Sequence, residues 1–224
     1  MKQALQTIIC IAGMLGGTAH AVHSQTEETM KHIAPSAAYA DTPLQRGIYL
    51  KTNAVAWSFA VANAEVEMDV ARHWSVDLPI QYSGWNYFQS RRKYRTLSFY
   101  PGARYWTNPT NNGFFAGAHI GLAYYNVAFE GRYRTQDRGG HHPAFGGGLS
   151  VGYRLPLRRN SCWSIEANVG AGVYALCHDK FANESNGQWI ATERKTYFGL
   201  DQLALSVCYR FPLRTSGTPT TTQP

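Results

Sequence analysis

Charged residues that alternate with apolar residues are the first candidates for chemistry in this sequence of 224 residues. Glu65, Glu67 and Asp69 occupy every second position, a spacing that points all three carboxylates to one side of a β-strand. Carboxylates held this close can serve in acid–base catalysis, in a gated pore, or as partners of buried cations. The residues predicted to share one enclosed interior are Lys51, Glu65, Glu67, Asp69, Asp77, Arg104, Arg154, Glu166 and Arg210.

The near balance of four cations against five carboxylates in this set favours pairing. An unpaired buried charge costs several kcal/mol, so opposite charges in a narrow interior are expected to form salt bridges. A first hairpin centred near Ala60 would place Lys51 opposite Asp69. The next turn would place Glu67 opposite Asp77, an acid–acid pair that needs Arg104 or Lys51 as its cation. We therefore interpret the set as structural rather than catalytic, and we predict no catalytic, cofactor-binding or metal-binding residue.

The histidines and cysteines give weaker signals. His119 projects inward from the middle of a strand and is expected to be a hydrogen-bonded filler. The adjacent His141 and His142 have no further ligand at metal-binding spacing. Cys162 and Cys208 are predicted to face inward on neighbouring strands, where a disulfide is chemically permitted, although separate thiols are favoured.

The strongest charge run is Arg91-Arg92-Lys93-Tyr94-Arg95, and its four cations form a predicted external basic patch (Arg91, Arg92, Lys93 and Arg95). Nucleic acid is the usual partner of such a run, but residues 1–21 have the pattern of a secretory signal peptide, and a secreted protein does not meet nucleic acid. The expected contacts are lipopolysaccharide phosphates, with an acidic glycan, pilus subunit or host molecule as the alternative.

Eight segments of alternating polarity must position these residues. They are predicted as strands at Ile48–Trp57, Asn63–Val70, Trp74–Gly84, Leu97–Trp106, Phe114–Val127, Phe145–Leu155, Cys162–Ala175 and Tyr197–Phe211. Charged residues make up only 16% of the chain, and no apolar run is long enough for a transmembrane helix, which excludes a helical membrane bundle.

The composition of the two strand faces distinguishes a membrane barrel from a soluble sandwich. The polar faces carry glycine, other small residues and isolated charges of both signs, which suits the crowded interior of a narrow barrel. The apolar faces carry aromatic residues near both ends, as interfacial girdles do. The fold class predicted is therefore all-β, an eight-stranded antiparallel up-and-down transmembrane β-barrel. Short turns face the periplasm and long loops, including 87–96, 128–143 and 176–196, face outward.

The chain ends are predicted to lie outside this barrel. Residues 1–21 have the basic start, apolar run and Ala19-His20-Ala21 site of a cleaved signal peptide. Residues 22–46 are polar and are predicted to form a flexible periplasmic tail. The barrel spans residues 47–213, and the Thr/Pro-rich residues 214–224 are predicted to be a disordered tail. The expected location is the outer membrane.

Several short motifs carry a resemblance to a known family. They are Leu50-Lys51-Thr52-Asn53, Asn63-x-Glu65-x-Glu67, Trp74-Ser75-Val76, Arg104-Tyr105-Trp106, Gly152-Tyr153-Arg154-Leu155-Pro156-Leu157 and Ile165-Glu166. In this order they resemble a Gram-negative outer-membrane family of unknown function, over about Gly47–Leu213. The resemblance implies an outer-membrane β-barrel whose gene often lies beside fimbrial subunit genes. It implies no activity.

The function expected is that of a non-enzymatic outer-membrane barrel with a structural or surface-interaction role, linked to fimbria assembly or anchoring. Its expected partners are outer-membrane lipid, lipopolysaccharide, the barrel-assembly machinery and fimbrial subunits, with no cofactor and no nucleic acid. Two alternatives stay open. One is a lipid-A-modifying enzyme, although no lipid-facing histidine has a serine two residues away, and the other is a small passive pore.

Overall fold

A computed structural model describes residues 46–86, 92–129, 131–158 and 161–213. The predicted signal peptide, nearly all of the N-terminal tail, and the C-terminal tail lie outside these residues. The described chain contains ten strands: β1 (Gly47–Asn53), β2 (Ala62–Ala71), β3 (Trp74–Ser83), β4 (Arg92–Phe99), β5 (Gly102–Trp106), β6 (Gly113–Phe129), β7 (Tyr133–Asp137), β8 (Ala144–Pro156), β9 (Trp163–Ala182) and β10 (Trp189–Pro212). One short helix, α1 (Ala54–Ser58), follows β1.

Antiparallel pairing closes these strands into a ring. β1 pairs with β2 on one side and with β10 on the other, and β10 pairs with β9, β9 with β8, and β8 with β6. β4 and β5 together fill the place between β3 and β6. The ring therefore has eight strand positions, and the predicted all-β antiparallel architecture is confirmed.

The predicted strand at 97–106 is divided between β4 and β5. Pro101 lies at the break, and proline has no N–H to donate to a ladder. Hydrogen bonds from Tyr100 N to Pro79 O (3.1 Å) and from Ile120 N to Pro101 O (3.0 Å) continue the pairing across the break. The ring thus stays closed although one strand is interrupted.

Strands extend into three of the predicted loops. β9 and β10 pair from Trp189 opposite Phe181 to Tyr209 opposite Trp163, far beyond the predicted ends of both strands. β7 lies in the predicted loop 128–143 and pairs with β6 and β9, and β4 begins at Arg92 inside the predicted loop 87–96. At one end of the ring, β4, β6, β7, β9 and β10 therefore continue beyond the part that is closed by eight strands. We call this part the extended sheet.

Polarity in the ring is reversed relative to a water-soluble core. Arg154 and Glu67 have no exposed surface, whereas Leu149 is 70% exposed and Phe198 is 79% exposed. The alternation of β9 shows the same arrangement, because Ser164, Glu166 and Asn168 are buried while Ile165 and Val169 are exposed. Among the described residues, no helix is long and apolar enough to cross a membrane.

Glycines on the inward faces make room for the larger polar side chains. A Cβ placed on Gly148 in β8 would lie 2.4 Å from the carbonyl oxygen of Ala171 and 2.7 Å from Oδ2 of Asp201. Both distances are shorter than real Cβ contacts, so the backbone of β8 and β9 would have to move apart.

We predict that Gly148→Ala lowers stability by about 1–3 kcal/mol, because overpacking between two paired strands strains the ladder. The measurement is thermal unfolding of the folded protein, followed by circular dichroism. Gly131→Ala is the matched control, since its nearest neighbouring atom would lie 3.7 Å away. Equal melting temperatures for the two variants would contradict the close packing at Gly148.

Candidate functional site

Strand register assembles most of the predicted charged set in the middle of the ring. Glu67 lies opposite Asp77, which confirms the expected acid–acid pair, and Arg154 lies opposite Glu166. Lys51 lies opposite Glu65, so the expected pairing of Lys51 with Asp69 is wrong. The reason is α1: β1 ends at Asn53, earlier than predicted, and the hairpin turns around the helix instead of around Ala60.

We call the assembled group the central ion cluster and define it as Lys51, Glu65, Glu67, Asp77, Arg104, Arg154 and Glu166. Lys51 is at its centre. Its Nζ atom lies 2.9 Å from Oε1 of Glu65 and 3.0 Å from both oxygens of Glu166, and it also donates to Oε2 of Glu67. One ammonium group thus joins three carboxylates contributed by β2 and β9.

The three glutamates around Lys51 have the spacing of a metal site. One oxygen from each lies within 4.8 Å of the others, and no other such group occurs in the described part of the chain. The Lys51 ammonium takes the position that a cation would need, because all three carboxylates already bind it. The arrangement is a salt-bridge centre with its cation built into the chain.

Arg104 links the acid–acid pair to the rest of the cluster. Its Nη2 donates to Asp77 (3.1 Å) and to Glu65 (2.8 Å), and its Nη1 donates to Glu67 (3.0 Å) and to Glu166 (2.7 Å). The predicted counter-cation of Glu67 and Asp77 is therefore Arg104, with Lys51 also binding Glu67.

Arg154 closes the cluster on the side of β8. It donates to Oε2 of Glu166 from Nε (2.9 Å) and Nη2 (2.7 Å), and Nη2 also reaches Glu67 (2.6 Å). Its guanidinium carbon lies 4.2 Å from the ring centre of Tyr49 and 4.4 Å from that of Trp106. The aromatic faces favour the cation and fill the interior below it.

Two members of the predicted set lie outside the central ion cluster. Asp69 accepts hydrogen bonds from Gly47 N (3.1 Å) and from Nδ2 of Asn111 (2.8 Å), so it ties the start of β1 to the β5–β6 connection. Arg210 lies beside Tyr49, with its guanidinium carbon 6.0 Å from the ring centre. Both residues support the end of the ring instead of its centre.

A second polar group surrounds His119, the predicted inward filler, and its other members, Asp201 and Tyr174, were not predicted from the sequence. Nε2 of His119 lies 2.6 Å from Oδ2 of Asp201, and the Tyr174 hydroxyl donates to the same oxygen at 2.8 Å. Asp201 turns inward because the β9–β10 register shifts between Leu200 and Gln202. The only sequence signal for it is the interrupted alternation at Leu200-Asp201-Gln202, which is the mark of a β-bulge.

The His119 group has part of the composition of a hydrolase site. A carboxylate orients the imidazole, as in a catalytic triad, and Nδ1 of His119 is buried without a hydrogen-bond partner. No serine or threonine hydroxyl in the described ranges is hydrogen-bonded to His119. The hydroxyl of Tyr174 donates to Asp201 and not to His119, so Asp201 orients both side chains.

The cysteines are separate thiols. Cys208 lies opposite Lys51 on β1 and Ser164 on β9, and Cys162 accepts a backbone hydrogen bond from Arg210. The register therefore displaces the two thiols by two residues along the strands, and Cys162, Cys177 and Cys208 are all free.

The predicted basic patch is divided by β4. Arg91 lies outside the described residues, and Arg92 is the first residue of the strand. Side chains alternate along a strand, so Lys93 and Arg95 project from one face and Arg92 from the other. The predicted loop cluster is thus two separate surfaces, and His141 and His142 form no metal-ligand group with other described residues.

The closed antiparallel ring and its buried ion cluster define an all-β protein with a charged interior and an apolar outer surface. A family model described as "Protein of unknown function (DUF3575)" matches residues 31–211. Because the match covers most of the sequence, the chain belongs to this family. No curated protein and no solved structure matches it.

We predict that Arg104→Leu lowers the free energy of unfolding by about 3–5 kcal/mol, because it removes the salt-bridge partner of buried Asp77 and one cation from each of Glu65, Glu67 and Glu166. Arg92→Leu removes the same charge from an exposed position and is expected to change stability by less than about 0.5 kcal/mol. Denaturant or thermal unfolding of both variants under one condition provides the comparison. Equal losses would show that Arg104 does not hold the central ion cluster together.

Proposed function

We propose that this protein is a non-enzymatic outer-membrane β-barrel with a structural or surface-interaction role. The observation that carries the proposal is the reversed polarity of the ring. Exposed apolar side chains surround it, including Leu149, Val151 and Phe145, while its charged side chains are buried. Water opposes such an arrangement, and a lipid bilayer favours it.

Aromatic contacts at one end of the ring support a membrane boundary there. Trp74 lies opposite Tyr105, Phe114 opposite Tyr153 and Trp163 opposite Tyr209, with ring centres 5.3, 4.6 and 4.8 Å apart. Together with Phe211, whose ring centre lies 4.8 Å from that of Tyr209, they form a band on the outward face. Interfacial girdles of membrane barrels have this composition and position.

The lengths of the connections between strands support one orientation of the ring in the membrane. β2 and β3 are joined by two residues and β5 and β6 by six, whereas β6, β9 and β10 extend far past the opposite rim of the ring. Short turns in outer-membrane barrels face the periplasm and long extensions face the exterior. On this orientation both chain ends are periplasmic and the extended sheet is at the cell surface.

The central ion cluster argues against the passive-pore alternative. Seven charged side chains from β1, β2, β3, β5, β8 and β9 meet in the middle of the ring, and six of them are almost fully buried. An eight-stranded interior is only wide enough to be filled by side chains. An ion crossing it would have to separate salt bridges in a low-dielectric interior.

We assign the surface-interaction role to the extended sheet, because it reaches past the ring on the side proposed to face the exterior. The partners we propose are outer-membrane lipid and lipopolysaccharide, with fimbrial subunits suggested by the resemblance described above. Export of the protein across the inner membrane would use the predicted signal peptide, residues 1–21. The aromatic end of the last strand, Phe211, would be recognised by the barrel-assembly machinery.

We predict that the protein fractionates with outer membranes and requires detergent for extraction. The unboiled protein should migrate faster than the boiled protein in gel electrophoresis, because a detergent-resistant ring stays compact. Immunoblotting of separated periplasm, inner membrane and outer membrane provides the measurement. Recovery as a soluble periplasmic protein would overturn the proposal.

We also predict that the reconstituted protein produces no stepwise current in a planar bilayer, since the ion cluster fills its interior. A large porin prepared in the same detergent serves as the positive control. Reproducible conductance steps from the wild-type protein would instead favour the passive pore.

A further inference from the structure

The outward face of β4 changes from apolar to basic along its length. Phe99 and Leu97 lie opposite Leu122 and Tyr124 of β6, and Arg95 and Lys93 follow on the same face, opposite Asn126 and Ala128. At about 3.4 Å per residue, Arg95 lies about 7 Å and Lys93 about 14 Å beyond Leu97. The two cations therefore stand directly above the apolar belt of the ring.

Arg134 of β7 brings a third cation to this face. Gln136 lies opposite Asn126, so Arg134, two residues away, projects on the same side of the sheet as Lys93 and Arg95. Its guanidinium carbon lies 4.6 Å from the ring centre of Phe181, its strand partner on β9. The aromatic ring thereby holds the guanidinium in a defined orientation.

These three cations form no salt bridge with the described carboxylates. The Nε atom of Arg134 is buried without a hydrogen-bond partner among the described residues. Partial burial and the like charges of Arg134 and Arg95 lower the pKa of Lys93. The three side chains thus repel one another, and a bound anion would relieve this repulsion.

Two lysines elsewhere on the extended sheet share one carboxylate. Lys195 and Lys180 bind Glu193 at 3.0 and 3.3 Å, and these hydrogen bonds lower the pKa of Glu193 to about 2. Asp179 lies on the same face as Arg134 but accepts hydrogen bonds from Thr192 (2.5 Å) and Gly139 (2.9 Å). Lys93, Arg95 and Arg134 are thus three neighbouring cations that share one face and have no salt bridge to a described carboxylate.

We propose that Lys93, Arg95 and Arg134 form a binding site for the phosphate groups of outer-leaflet lipid. The inference rests on the proposed function, because only a membrane-embedded ring presents this face to lipid headgroups. Arg134 supplies a planar guanidinium that can donate two parallel hydrogen bonds to a phosphate, and Lys93 and Arg95 supply further charge. Their position immediately above Leu97 and Tyr124 places them where headgroup phosphates begin.

The test is equilibrium binding of bisphosphorylated lipid A in detergent micelles to the folded, detergent-purified protein. K93Q/R95Q/R134Q is expected to bind at least about tenfold more weakly than wild type, since several charge-assisted hydrogen bonds are lost. Dephosphorylated lipid A in the same micelles is expected to bind the wild type about tenfold more weakly than the phosphorylated lipid. R134K, which keeps the charge but not the planar fork, should fall between wild type and R134Q.

R72Q/R92Q/R158Q is the matched control, because it removes the same total charge from exposed residues away from this face. It is expected to bind within about twofold of wild type, and thermal unfolding establishes that each variant is folded. Equal weakening in both triple variants, or equal binding of the two lipids, would overturn the site. If the wild type is in the outer membrane but K93Q/R95Q/R134Q binds normally, only this inference fails. A soluble wild type would refute the proposed function instead.

Discussion

The structure depends on the requirement that charges enclosed in the ring be paired. Lys51, Arg104 and Arg154 each bind at least two carboxylates, and Glu67 and Glu166 each bind all three cations. These contacts join strands that are far apart in the sequence, since Lys51 and Glu166 are separated by 115 positions. Any shift of register between neighbouring strands would separate a buried ion from its partner, so the cluster selects one pairing of the ring.

The small residues and the breaks in alternation follow from the same requirement. Long charged and aromatic side chains fit inside a ring of eight strands only where the facing residues are small. Gly148 and Gly172 leave space for Asp201, and a Cβ on Gly172 would approach Oδ2 of Asp201 to 2.3 Å. The bulge that turns Asp201 inward supplies the hydrogen-bond acceptor that His119 and Tyr174 share. The glycines, the bulge and the polar interior therefore depend on one another, because each is needed to fit large polar side chains inside the ring.

Outside the ring, the extension of β4, β6, β7, β9 and β10 creates surfaces with separate properties. Alternation along β4 assigns Lys93 and Arg95 to the outward face and Arg92 to the opposite one. Lys180 and Lys195 share Glu193, whereas Lys93, Arg95 and Arg134 form no salt bridge with the described carboxylates. The lipid-phosphate site we propose thus depends on which cations share a face, and total charge alone would not reveal it.

Alternating polarity in the sequence was sufficient to predict the eight strand positions, the inward charged residues and the pairing of Glu67 with Asp77. These features depend on local periodicity and on turns of two or three residues, whose geometry is set by nearby residues. The tertiary structure decided the pairing of Lys51 with Glu65, because α1 shortens the first strand. It also decided the inward turn of Asp201, the break at Pro101 and the strands that replace the predicted loops. Most of these features depend on how one strand pairs with its neighbours, and alternation within a single segment does not fix that register.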